Sequence, residues 1–156
     1  MIPSLDTLLV QALCTFAIAV FSTWLTIRLS QRKFRAERLW DRKAAAYERL
    51  IDAFHKAKKF SSENLDAEYE GRQVSEERND ELRALAKEAR EEIRRAADIG
   101  SFSLSEGALQ LVTQYEIDVG DTKGITMWQE HLDHDYAVTD AALKDLIFEA
   151  KRDLEQ

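Results

Sequence analysis

The densest run of side chains able to hold a metal is Glu130-His131-Leu132-Asp133-His134-Asp135. On a helix, His131 and His134 share a face, as do His131 and Asp135. Closing a tetrahedron takes ligands from more than one element, and the only other histidine is His55. The run therefore reads as a polar, solvent-facing turn, with His131 and His134 the best available metal pair and no metal expected. The single cysteine, Cys14, sits in an uncharged stretch where a thiolate is disfavoured, so it is a poor nucleophile. Gly120-Asp121-Thr122-Lys123-Gly124 places a lysine between glycines, but no strand precedes it and the phosphate-loop spacing is missing. Carboxylate pairs such as Glu91-Glu92 lie in an alternating charged face that mainly solubilises a helix. Together these readings point away from an enzyme, from a cofactor and from a small-molecule substrate.

The elements that would carry these residues begin with residues 7–27, TLLVQALCTFAIAVFSTWLTI, which contain no charged side chain. Twenty-one residues at about 1.5 Å each span roughly 31 Å, the thickness of a hydrocarbon core. No Lys or Arg precedes this run, and seven follow it closely: Arg28, Arg32, Lys33, Arg35, Arg38, Arg42 and Lys43. Positive charge stays inside, so the expectation is a single-pass helix with its N-terminus outside and its C-terminal part cytoplasmic. A cleaved signal peptide would begin with a basic segment, whereas this one carries only Asp6. Leu13 before Cys14 is too large for a lipoprotein signal.

Charge divides the remainder. Residues 28–59 hold 11 basic and 4 acidic side chains, and residues 60–156 hold 11 basic and 24 acidic. The basic part suits an anionic inner leaflet, with Arg28, Arg32, Lys33 and Arg35 placed for lipid headgroups. The acidic part would repel phosphate, which argues against nucleic acid. One cysteine excludes an internal disulfide and suits a reducing compartment.

No Pro or Gly occurs between Ser4 and Glu70, so the first helix is expected to run without interruption until Gly71. Its apolar stripe is Leu39, Trp40, Ala44, Tyr47, Leu50, Ile51, Phe54 and Ala57, at steps of three and four. A second helix over 75–97 has Ser75 as N-cap and its stripe at Leu82, Leu85, Ala86, Ala89, Ile93 and Ala96. Its outer face mixes Glu and Arg. Ser103 to Glu106 has capping-box spacing before a third helix that carries Ala108, Leu111, Val112, Tyr115 and Val119 inward. Thr126 to Gln129 repeats that spacing before a fourth helix reaching Leu154, and the polar HLDHD stretch leaves open whether that helix is continuous. Short connections favour antiparallel neighbours. The fold class is all-α: residues 1–33 form a transmembrane anchor with a basic stop, and residues 34–156 a cytosolic antiparallel bundle of about four helices.

Two stretches look familiar. Residues 37–51, ERLWDRKAAAYERLI, and residues 97–105, ADIGSFSLS, resemble two blocks of small bacterial single-pass membrane proteins of unknown function. The resemblance implies a bacterial or phage origin and a helical cytosolic domain, and no activity. Within the first block, Trp40, Tyr47 and Leu50 are spaced to enter the core.

In the uncharged run, Gln11, Thr15, Ala19, Ser22 and Thr26 share one helix face, a small and polar seam for a second membrane helix. The expectation is a membrane-anchored interaction protein that recruits or regulates a partner at the inner membrane. Its partners would be the bilayer and either a second copy or another membrane protein. An oligomeric membrane-perturbing effector of a toxin or phage-defence system is the alternative. A spanin-like envelope protein, with the opposite topology, is disfavoured by the charges.

Overall fold

A computed structural model describes the backbone of residues 5–100 and 102–155, and the side chains from Thr15 onward except those of residues 17, 29, 32, 33, 35, 36 and 97. Four helices follow in order: α1 (Leu5–Tyr69), α2 (Glu76–Gly100), α3 (Glu106–Gly120) and α4 (Trp128–Leu154). There is no strand among the described residues. The chain divides into two compact units, Met1–Trp40 and Asp41–Gln156.

In the first unit the described side chains of α1 are exposed all round, including Phe16, Ile18, Phe21 and Trp24. Thr23 and Thr26 donate their hydroxyls to the carbonyls of Ala19 and Ser22, one turn back, at 2.8 Å each. Among the described residues, no helix is long and apolar enough to cross a membrane. The side chains of residues 7–14, the first part of the uncharged run, lie outside the described set.

The second unit is an up-down bundle, as the cross-helix pairs show. Glu63 meets Arg78 across the α1–α2 turn, and Arg94 meets Glu116 across α2–α3. The α3–α4 pair joins Asp118 to His134 at one end and Ser105 to Glu149 at the other. Lys43 with Asp153 and Lys58 with Asp140 set α1 antiparallel to α4. Gly71, at φ 66°, ends α1 as expected. Its amide bonds Glu68 O and the Arg72 amide bonds Ala67 O, satisfying carbonyls the helix end leaves open.

The core comes from stripes at helical spacing: Tyr47, Leu50, Phe54 and Ala57 from α1, Ala89 and Ile93 from α2, Ala108, Val112 and Tyr115 from α3, and Leu143, Leu146 and Ala150 from α4. The Phe54 and Tyr115 rings meet edge to face at 4.7 Å between centroids, the arrangement their quadrupoles favour.

Several expectations need correction. Trp40 and Leu39 do not enter the core; they are 52% and 62% exposed and precede the bundle, which begins at Asp41. The cap of α3 is Ser105 and not Ser103, because α2 persists to Gly100 and the Ser103 and Leu104 amides turn back onto its carbonyl. At the start of α4 the carboxylate of Glu130 accepts from the Thr126 and Met127 amides at 3.2 Å each, displacing the expected Thr126–Gln129 pairing by a residue. The continuity of α4, which the sequence leaves open at HLDHD, is settled by the fold: the helix runs unbroken from Trp128 to Leu154, with Leu132 buried in that stretch.

Candidate functional site

Two polar assemblies stand out in the bundle. The first joins both stretches singled out in the sequence. Tyr47 donates its phenol proton to Asp153 Oδ2 at 2.8 Å, and its oxygen accepts from the Ser105 amide at 3.2 Å. Ser105 Oγ lies 3.1 Å from the same phenol, accepts from the Ala108 amide, and donates to Glu149 Oε1 at 2.7 Å. Lys43 Nζ pairs with Asp153 at 2.7 Å, and Arg152 pairs with Glu149 at 2.6 Å. Burial pushes the Tyr47 phenol above its ordinary pKa, against the downward pull of its Ser105 bonds. Glu149 is a carboxylate only 6% exposed, and it is held by a hydroxyl and a guanidinium. Buried charge is tolerated on those terms. This network ties the interior of α1 to the start of α3 and the end of α4, and Tyr47 also lines a groove of about 710 Å³ between α1 and α4.

The second assembly is open. Arg83, Lys87, Arg90 and Arg94 form a row at steps of four, three and four on one face of α2. They flank a groove of about 550 Å³ whose remaining walls include Phe60, Ala86 and Trp128. The Phe60 and Trp128 rings pack edge on at 6.1 Å, and Trp128 remains 51% exposed. A second groove of about 440 Å³ shares Phe60, Arg90 and Trp128 and continues to His131, His134 and Asp135.

Three of the four cations have acidic neighbours. Arg90 Nη2 is 2.6 Å from Asp135 Oδ1, Arg94 is 3.1 Å from Glu116, and Arg83 is 3.9 Å from Asp80. Lys87 has no ion-pair or hydrogen-bond partner among the described residues. Behind the row, Arg90 Nε, Tyr115 Oη and Thr139 Oγ1 are buried without a hydrogen-bond partner among the described residues. Burial raises the Tyr115 phenol's pKa, and Thr139 and Arg90 are its polar neighbours.

His131 and His134 do line one groove, but His134 Nε2 faces the Asp118 carbonyl at 3.0 Å and Asp135 is engaged by Arg90. No group of three His, Cys, Asp or Glu is placed to hold a metal among the described residues. In the uncharged run, Thr26 spends its proton on its own helix, while Ala19 and Ser22 are exposed. The side chain of Gln11 lies outside the described residues, as do those of Arg32, Lys33 and Arg35. Arg28 places its guanidinium 5.0 Å from the centre of the Trp24 ring, a cation–π contact at the end of that run.

The cationic row is absent from the sequence expectations, which took the outer face of α2 as mixed and solvated. Its 4-3-4 spacing was a readable signal. What hid it was the wall opposite: Phe60 and Trp128 are 68 residues apart in sequence and meet only in the fold.

Fold and site together define an all-helical up-down bundle with a cationic, aromatic-walled groove. No protein-family profile, no curated protein and no solved structure matches the chain.

Proposed function

We propose that this chain is a membrane-anchored helical interaction protein that recruits or regulates a partner at the bacterial inner membrane, with its N-terminus outside and its bundle in the cytoplasm. The observation that carries the reading is the charge pattern: 21 uncharged residues at 7–27, no Lys or Arg before them and seven within the next 16. Trp24 with Arg28 stacked on it adds support, because tryptophan and a basic side chain together suit the headgroup level. The bundle has an open groove with a half-exposed tryptophan and arginines, the residue types that dominate binding energy at protein interfaces. Anchoring would tether the bundle that bears this groove to the membrane, where a partner would be collected.

Topology is the decisive test. A reporter active only in the cytoplasm, fused after Gln156, is expected to be active, and a reporter active only outside is expected to be silent. The reverse pattern refutes the reading.

A further inference from the structure

We propose that the groove along α2 is the docking site for an acidic amphipathic helix of a partner protein. This deepens the interaction reading above and rests on it for the partner's setting, but not for its chemistry. The cations at 83, 87, 90 and 94 extend over eleven residues, or about 16 Å of helix. A row of that length matches charges repeated along a second helix, whereas the phosphates of a single nucleotide would gather at one point. The floor beside the row is apolar, built from Phe60, Ala86 and Trp128. A helix with carboxylates on one edge and aliphatic side chains on the next satisfies both surfaces at once, the helix-in-groove mode.

Charge complementarity picks acid for the occupant and sets its limit. Residues 41–156 carry 27 acidic and 17 basic side chains, so this row stands on a unit of net negative charge. A nucleic-acid strand, with a charge at every nucleotide, meets that wider field and is repelled. A helix with a few carboxylates meets chiefly the row. The acids already facing the cations are Asp80, Glu91, Glu116 and Asp135. Asp80–Arg83 and Glu116–Arg94 are exposed pairs, which contribute little and exchange readily for a partner's carboxylates. Asp135 is only 16% exposed and keeps Arg90 as part of the wall. Glu91 calls for an uncharged or basic partner residue opposite it. Lys87, near the centre of the row and without an ion-pair or hydrogen-bond partner among the described residues, is the first contact for an incoming carboxylate.

The test uses the full-length chain in detergent and a fluorescein-labelled, end-blocked peptide of Leu, Glu, Ala and Gln. Its Glu residues are repeated at steps of four, three and four, with Leu on the adjacent helical edge. A scrambled peptide of the same composition is the control, and protein-free micelles give the baseline. Saturable binding by anisotropy is expected, about tenfold weaker for the scrambled peptide. Lys87→Glu with Arg94→Gln alters two exposed positions, so the bundle should melt as before while peptide binding weakens by about tenfold or more. Equal binding of the scrambled peptide, no saturable binding, or binding indifferent to the double substitution each overturns the proposal. So does a poly-uridine oligonucleotide that displaces the peptide at matched charge, which would mark a polyanion surface. Because detergent removes topology from the assay, failure here leaves the anchoring reading standing, and failure of the reporter test leaves this binding result standing.

Discussion

Replacing Gly107 with alanine should destabilise this protein, although glycine to alanine in a helix ordinarily does the reverse. The ordinary gain is about 1 kcal/mol in a helix interior, and less here because Gly107 is the second residue of α3. A Cβ at Gly107 would fall inside van der Waals contact of Glu149 Oε1 and 2.8 Å from Glu149 Cδ. A free carboxylate would swing aside at little cost. This one is buried, bonded by Ser105 Oγ at 2.7 Å and paired with Arg152. Moving it breaks a hydrogen bond to a charged group, which contributes about 1.5–3 kcal/mol. The Arg152 pair adds little, since that guanidinium is largely exposed. The net expectation is a loss of about 1–2 kcal/mol. Unfolding entropy near 2.1 cal/mol/K per residue over roughly 120 residues converts 1 kcal/mol to roughly 4 °C, so Tm should fall by about 4–8 °C. Far-UV circular dichroism of the full-length chain in detergent measures it. Gly120→Ala is the control: its Cβ meets open space, its φ is not positive, and its Tm should hold or rise slightly. A Gly107→Ala protein that melts at or above the parent temperature would show that Glu149 is not pinned, and the Tyr47–Ser105–Glu149 network would lose its structural role.

Thr139→Val exchanges a hydroxyl buried without a hydrogen-bond partner among the described residues for a methyl of the same shape, so Tm should hold or rise, by at most about 1 kcal/mol of stability; a clear drop would show that the hydroxyl bonds the neighbouring Tyr115 phenol. Asp140 is held below the usual carboxylate range by its hydrogen bonds from Lys144 and then Lys58. A depressed folded pKa means its contribution is complete above the ordinary carboxylate pKa and is lost as pH falls through the folded value, so Asp140→Asn should flatten the acid limb of a Tm-versus-pH curve and leave its slope near neutrality alone. Gln11→Leu with Ala19→Phe should weaken detergent-resistant oligomers, and a Phe16 or Val20 control should not; crosslinking that is the same in both would exclude the small-residue face as the membrane seam.

Much of the bundle was legible because its physics is local. The inward stripe from Tyr47 to Ala57 and the pattern at Leu143, Leu146 and Ala150 are helical periodicities, and Gly71 is a stop that only a left-handed residue makes cheaply. The misreadings fall where long-range packing chooses between local options. Ser103 and Ser105 are both adequate caps, and the choice is made by Tyr47 and Glu149, 58 and 44 residues away. Trp40 has the spacing of a core residue, but the bundle has not begun at that point. Glu149 looks like any surface glutamate among Phe148, Ala150 and Lys151; only the absent side chain at Gly107 makes room for it. For the groove, periodicity could show the cationic row but not the aromatic wall from α1 and α4.

Lys43 and Asp153 touch across 110 residues of intervening chain. Helical hairpins such as α1–α2 and α3–α4 can close while synthesis proceeds, but this clasp waits until α4 has emerged. Until then Tyr47, Leu50 and Phe54, which the finished bundle buries, lack the α4 side of their core. The polar clasp can therefore form only once α4 is in place beside α1.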